Sequence, residues 1–358
     1  DKLLSQNIIR PSTAPYYSQV HLAEKPPKGS GQKRFCIDYV LLNICTTIAD
    51  QWPLPNIQHM LRRLGNHKPK YFAVFDLRVP FGLKSAPSYF QRVMSNIVLA
   101  GLVFVCCEVY IDDIIIHAQT AQELLTNMKR VFERIRKHGL VLHPKKGRIG
   151  LRRVEYTGHV IDSEGLSFSP EKIRTVLEFP VPTRKQELKQ FIGLANYFRD
   201  HIKNHSIIVA PLQRYLTSYT KRQANQPIHL DEEGIRAFHD IQKAIGECPK
   251  LFFMDDASPV TLYTDASRYG IGGYLCQAIP QPPKEVVERP IAFMSQSLTL
   301  PQLKWDIPQK EAFAIYAAIM KFEYLLRDRP FTIKTDHKNI TFINTSLISS
   351  IRKWKTYI

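Results

Sequence analysis

Long apolar runs are what this 358-residue chain most clearly lacks. No stretch of roughly eighteen or more apolar residues occurs, because the longest candidate, 97–116, is interrupted by Glu108 and by Asp112 and Asp113, so no membrane-spanning helix is expected. Paired metal-ligand spacings are lacking too: the six cysteines, Cys36, Cys45, Cys106, Cys107, Cys248 and Cys276, show none, and the twelve histidines are scattered. That argues against a zinc centre and for reduced thiols in an intracellular compartment. The start, Asp1-Lys2-Leu3-Leu4, has neither an initiator Met nor a signal peptide, and the chain is expected to be a piece of something larger. Negative charge is in short supply: 32 Asp and Glu against 49 Lys and Arg leave a formal +17. Between Lys129 and Arg153 only Glu133 is acidic, in a block dense in Lys and Arg. Such a block contacts phosphates without reading sequence, so a nucleic acid partner is expected.

What is present is 44% hydrophobic and 23% charged residues, the balance of a globular protein long enough for two or three domains with their own cores. Within it, Tyr110-Ile111-Asp112-Asp113 sits in an apolar run, with Val109 before it and Ile114-Ile115-Ile116 after it. Adjacent carboxylates between β-branched residues are costly to bury unless something compensates them. An ordinary tight turn accounts for the same four residues, since Asp is common in turns. Upstream, Tyr71-Phe72-Ala73-Val74-Phe75-Asp76 reads as a strand ending on an acid, which favours the metal reading. Asp76, Asp112 and Asp113 are expected to converge on Mg²⁺, which takes oxygen ligands and is shared with substrate phosphates. Two such ions stabilise the attacking 3′-hydroxyl and the leaving pyrophosphate of an in-line displacement, the chemistry of nucleotide polymerisation.

Spacing predicts a helix over 85–102 with Pro87 in its first turn, a basic helix over 122–138 ended by Gly139, a hairpin over 154–161, helices over 170–178 and 184–201, and a polar linker over 217–227. Beyond it, 260–265 and 331–336 each read as a strand ending in Asp, 271–275 and 291–294 as further strands, and 308–326 as a helix. Glu311 lies four residues before Ile315 on the apolar face of that helix. A Glu near a helix N-terminus is also what the helix dipole favours. With Asp265 and Asp336 at strand ends, however, Glu311 completes a set of acids suited to a two-metal nuclease in which water attacks a phosphodiester. Both sets on one basic chain imply a hybrid substrate, a template copied and then degraded.

These residues resemble a known family. Ile9-Arg10-Pro11-Ser12, Arg34-Phe35-Cys36-Ile37-Asp38-Tyr39, Pro53-Leu54-Pro55, Phe75-Asp76-Leu77, Val79-Pro80-Phe81-Gly82-Leu83-Lys84-Ser85-Ala86-Pro87 and the Asp pair come first. Tyr156-Thr157-Gly158-His159, Phe191-Ile192-Gly193-Leu194-Ala195-Asn196-Tyr197, Thr264-Asp265-Ala266-Ser267 and Thr335-Asp336-His337-Lys338 follow. In this order they are similar to the reverse transcriptase and ribonuclease H part of a gypsy-type (Metaviridae) long-terminal-repeat retrotransposon polyprotein, along essentially the whole chain.

The resemblance implies a multidomain α+β and α/β fold: a right-hand polymerase with fingers and palm over 1–161, thumb and connection over 162–250, and an RNase H-like domain over 251–358. It implies RNA-directed DNA polymerase (nucleotidyltransferase) activity and endonucleolytic RNA cleavage, with Mg²⁺ or Mn²⁺ as cofactor. The implied partners are RNA template, DNA primer, RNA/DNA hybrid, dNTPs and the protease and integrase segments of the same polyprotein, in an intracellular setting of cytoplasmic particle and nucleus, with no membrane. By motif, Asp76, Asp112 and Asp113 are palm metal ligands, and Arg34 and Lys28 grip the incoming triphosphate, a task suited to a guanidinium. Phe81 and Gly82 line the nucleotide pocket, and Thr157, Gly158 and His159 fall on the hairpin that holds the primer end. Asp265, Glu311 and Asp336 match three of the nuclease's acids.

The chain departs from the family's pattern twice. The family has a few dozen residues, including a helix with an aromatic that checks the nucleotide's sugar, where Leu77 here is followed at once by Arg78-Val79-Pro80. The palm is therefore expected to be internally deleted after Leu77 and the polymerase impaired, since an ångström of misplacement costs roughly a hundredfold in rate. The family's fourth nuclease acid lies on a later helix than Ile358 reaches, so a C-terminally truncated RNase H-like domain is expected. The alternative to an enzyme is a catalytically dead relic that only binds nucleic acid; a host repair polymerase or domesticated binding module has no distinguishing residue here.

Overall fold

A computed structural model describes residues 2–5, 11–13, 18–24, 33–47, 52–77, 82–143, 146–217, 219–220, 223–281, 285–336 and 348–356. Lys28 and Phe81 lie outside them, as do the side chain of Arg34 and the His337-Lys338 part of the last motif. The chain divides into two units, one of Asp1–Asn56, Ala73–His117 and Gln122–Ile149, the other of Ile57–Phe72, Ala118–Ala121 and Gly150–Ile358.

In the first unit a four-residue helix, α1 (Lys2–Ser5), precedes an antiparallel hairpin of β1 (Val20–Glu24) and β2 (Lys33–Ile37), in which Arg34 pairs with Ala23. A short helix, α2 (Val40–Cys45), follows, while α3 (Ile57–Asn66) belongs to the second unit. The sheet is built from β3 (Tyr71–Asp76), β4 (Cys107–Tyr110), β5 (Asp113–Ala118) and β6 (Arg148–Leu151), in the order β4-β5-β3-β6. Residues 114–118 of β5 are buried at every position, as a strand covered on both faces requires, and this explains the unbroken Ile run. The expected helix over 85–102 is α4 (Ala86–Val93), continued by a π-helical turn at Met94–Val98. The basic helix is α5 (Ala121–Lys137), with Leu124, Met128, Val131 and Ile135 buried at helical spacing and Lys129, Arg130, Arg136 and Lys137 facing water. Phe132 meets Phe75 of β3 edge-on at 5.0 Å.

The second unit holds a sheet of β7 (Arg153–Tyr156), β8 (His159–Asp162), β9 (Gly165–Phe168) and β10 (Leu251–Phe252), ordered β10-β9-β8-β7. Four helices, α6 (Pro170–Leu177), α7 (Lys185–Tyr197), α8 (His205–Gln213) and α9 (Glu232–Gly246), enclose a core that includes Leu188, Phe191, Phe198, Phe238 and Ile241. The polar stretch read as a linker runs along the start of α7: Lys185 N–H donates to the Gln226 carbonyl (3.1 Å) and Gln186 N–H to that of Ala224 (3.0 Å). Its composition suggests a tether, but its carbonyls satisfy helix-end donors.

A second sheet in this unit has the order β13-β12-β11-β14, from β11 (Val260–Ala266), β12 (Gly270–Gln281), β13 (Glu285–Ser297) and β14 (Phe331–Thr335). β11, β12 and β13 run antiparallel in turn, whereas β14 lies parallel to β11. The helices are α10 (Leu300–Leu303), α11 (Ile307–Leu326) and α12 (Ser349–Lys355). Asp306 caps α11 by accepting from Gln309 N–H (2.8 Å), and Pro308 suits its first turn. The face of α11 bearing Ala314, Ile315, Ala318 and Phe322 packs on Leu262, Ile271 and Leu275. Gly273 permits that closeness, since a Cβ there would come within 3.1 Å of the Ala318 methyl. Among the described residues no helix is long and apolar enough to cross a membrane.

Candidate functional site

The acids of the first unit lie near one another where β3 ends and the β4–β5 hairpin turns, but their oxygens are not gathered as a set of three close enough to share one ion. Leu77 N–H donates to the Asp112 carbonyl at 2.8 Å, which ties the end of β3 to the turn and sets Asp76 beside Asp112. Ile111 takes φ +55°, a region in which a β-branched residue is strained. The buried side chain of Gln91, on α4, holds it there: its Oε1 accepts from Ile111 N–H (2.7 Å), and its Nε2 donates to the Val109 carbonyl (3.1 Å) and to Ser95 Oγ (2.9 Å).

Burial, with repulsion from Asp112 and then Asp76, pushes the Asp113 carboxyl up to about 6. Asp112 is raised too, chiefly by burial and further by Asp76. Lys146 forms an ion pair with Asp76 Oδ2, and the same loop's His143 N–H donates to the Asp76 carbonyl (2.9 Å). Asp76, Asp112 and Asp113 thus share one electrostatic neighbourhood, with Asp76 held by a cation from the protein itself.

In the second unit, Asp265, Glu311 and Asp336 offer oxygens that all lie within 4.8 Å of one another, the one such set of three among the described residues. Parallel pairing of β11 with β14 sets Thr264 opposite Thr335, so the next residues, Asp265 and Asp336, emerge side by side at the same sheet edge. Glu311 reaches them from the first turns of α11. The preceding residue, Lys310, is buried, and its Nζ donates to the carbonyl of Leu303 (3.1 Å) and weakly to that of Arg268 (3.5 Å).

Glu311 is 4% exposed, and its Oε2 has no hydrogen-bond partner. Burial first, then Asp336 and Asp265, raise its carboxyl to about 7. A buried, partnerless carboxylate oxygen facing two more carboxylates fits a hard divalent cation, which would supply the missing positive charge.

Gly82 adopts φ +100°, and Asn43 of α2 brackets it, donating to the Gly82 carbonyl (2.7 Å) and accepting from Lys84 N–H (2.8 Å). Thr157 and Gly158 form the β7–β8 turn with φ +47° and +79°; a side chain at Gly158 would meet Tyr197 and Lys172. His159 is turned inward, 2% exposed, its ring near Tyr197 and Phe168, and burial holds it down to about 4. The imidazole therefore supports the turn from behind. Sequence reasoning missed Gln91, Asn43 and Lys146. The one available signal was a Gln on the apolar side of a helix, a polar group that needs partners once buried.

Residues 41–161 match a family described as reverse transcriptase (RNA-dependent DNA polymerase), and 255–358 match one described as the RNase H-like domain found in reverse transcriptase. Among curated proteins, the retrovirus-related Pol polyprotein from transposon opus of Drosophila melanogaster is 31% identical over 397 residues, covering 100% of this chain and 39% of that protein. The corresponding polyprotein from transposon gypsy, also of Drosophila melanogaster, is 30% identical, with 100% of this chain and 37% of that protein covered. The chain thus spans about two fifths of the length of these relatives.

Two solved structures share the fold. A foamy viral protease-reverse transcriptase in complex with double-stranded DNA has a TM-score of 0.77 at 21% identity, with 100% of this chain and 66% of that one covered. One in complex with an RNA/DNA hybrid has a TM-score of 0.72 at 20% identity, with 99% and 50% covered. Reverse transcriptases and RNases H depend on divalent metal, in keeping with the acids described above. The chain belongs to the gypsy-type retrotransposon Pol family, as its reverse transcriptase and RNase H-like region.

Proposed function

We propose that this chain performs RNA-directed DNA synthesis and RNA cleavage in RNA/DNA hybrids for a retrotransposon, with the polymerase step impaired in this copy. The reading divides it into fingers and palm over 1–161, thumb and connection over 162–250, and the RNase H-like domain over 251–358. The observation that carries it is the convergence of Asp265, Glu311 and Asp336, with a partnerless Glu311 oxygen at the centre. These acids would hold Mg²⁺ or Mn²⁺, which supplies charge to activate water and to stabilise the leaving oxygen.

The chain's own groups do the positioning. Strand register fixes Asp265 and Asp336, and the anchored Lys310 steadies the turn of α11 that carries Glu311. In the polymerase half, Asp76, Asp112 and Asp113 would hold ions of the same kind. Arg34 and Lys28 would meet the triphosphate of a dNTP, Phe81 and Gly82 would line its pocket, and the Thr157-Gly158 turn, backed by His159, would hold the primer end. RNA template, DNA primer and hybrid are the substrates, the protease and integrase segments of the polyprotein are the companions, and the setting is intracellular, in a particle and the nucleus.

Two facts favour impairment. Asp76 is occupied by Lys146, and the stretch aligned with the opus polyprotein is 397 residues long where this chain has 358. A few dozen absent positions suit the abrupt passage from Leu77 to Arg78. With Mg²⁺ or Mn²⁺, the purified chain is expected to cleave a labelled RNA/DNA hybrid, and Asp265→Asn to stop it. Primer extension on RNA is expected at about a hundredth of an intact relative's rate or less. Salt-sensitive binding to the hybrid with neither activity would establish the binding-only relic instead.

A further inference from the structure

Within the second unit, α3 and the end of α11 border a cavity of about 380 Å³ that none of the acids described above lines. Arg62 and Arg63 of α3 and Arg327 and Arg329 after α11 line it, with Asp328 the single acid among its lining residues. Asp328 adopts φ +61°, the left-handed conformation that ends a helix, and this turn brings Arg327 and Arg329 to the same rim. Phe253 and Tyr324 give the cavity an aromatic wall. Gly65 of α3 lets Phe253 lie directly against the helix, in the space a side chain would take.

Arg62 carries the argument. It is 6% exposed and donates from one terminal nitrogen to the Phe252 carbonyl (3.1 Å), while its Nε has no hydrogen-bond partner. A buried guanidinium is costly to desolvate, and an anion in the cavity that Arg62 lines would offset that cost. Arg327 and Arg329 already pair with Glu323 and Asp256, both at 2.6 Å, but each guanidinium has donors to spare for a second acceptor.

We propose that this cavity binds a nucleotide, with its phosphate on Arg62 and Arg63 and its base against Tyr324 and Phe253. The volume suits a ligand of that size. The inference does not depend on either proposed catalytic activity.

Calorimetric titration of the full chain in EDTA, which keeps bridging metal off the carboxylates, tests it with three probes: AMP, inorganic phosphate and adenosine. AMP is expected to bind, phosphate about tenfold more weakly, and adenosine not measurably. Arg62→Gln should abolish AMP binding, and Arg63→Gln and Tyr324→Leu should each weaken it about tenfold. If Arg62→Gln loses its native circular dichroism, the other two variants decide. No AMP binding, adenosine binding as tightly as AMP, or AMP affinity unchanged in Arg63→Gln and Tyr324→Leu would each overturn the proposal.

Discussion

Burial among carboxylates makes Glu311 a sensor of its own counter-charge. Its folded value of about 7 stands above the ordinary 4.5. Its contribution to metal-free stability is therefore fully present below about pH 4.5 and lost as the pH rises through about 7. After allowance for solvent around the exposed Asp265 and Asp336 beside it, the loss is about 2 kcal/mol. Thermal melts in EDTA at pH 5 and pH 8 are expected to show a larger drop for the wild type than for Glu311→Gln. Added Mg²⁺ should raise the pH 8 melt of the wild type and leave the variant nearly unmoved.

Gln91 is a second residue with a definite cost. Gln91→Ala leaves the Ile111 N–H without its acceptor beneath the Asp112-Asp113 turn, and urea unfolding should show a loss of about 2 kcal/mol. The acids were legible because a carboxylate in an apolar run is costly in any fold and so points to a compensating charge. Gln91, Asn43 and Lys146 were not, because their partners lie 18 or 20, 39 and 70 residues away along the chain.

At the scale of elements, the β7–β8 hairpin and the following helices meet around two neutral imidazoles. His159 and His201 sit with ring centroids 6.3 Å apart, and burial holds them down to about 4 and about 3. Both folded values lie below the ordinary 6.5, so the unfolded chain takes up protons first. Stability is fully present above about pH 6.5 and falls as the pH drops toward 4. Melting temperature should decline steeply between pH 6.5 and 4.5, and His201→Gln, less stable at neutral pH, should show a shallower decline.

Helical periodicity revealed α5, α7 and α11 because each presents one apolar face. It overran at residues 99–102, which turn away after the π-helical stretch at Met94–Val98. The strands over 271–275 and 291–294 proved to be parts of the longer β12 and β13. Beyond Leu275 the chain passes a register shift and then carries polar residues, such as Gln277 paired with Arg289, so backbone pairing outlasts the apolar signal.

For the molecule as a whole, the acids of the nuclease-like domain already converge, whereas Asp76 of the first unit is held by Lys146. On the proposed reading that positions absent after Leu77 impair the polymerase half, the impairment should be local and reversible. Between Leu77 and Arg78, the corresponding segment of the opus polyprotein would restore the chain length between the two motifs. It would also give Asp76 neighbours other than the loop that carries Lys146. Primer extension on an RNA template is expected to rise about a hundredfold, the factor that an ångström of misplacement removes. Hybrid cleavage by the same protein should stay within about twofold of its starting rate, because Asp265, Glu311 and Asp336 take their positions from β11, α11 and β14 alone. Parallel assays on one preparation would separate the causes. Restored extension with steady cleavage assigns the defect to the gap, whereas unchanged extension would place it elsewhere in the palm and refute the deletion as its source.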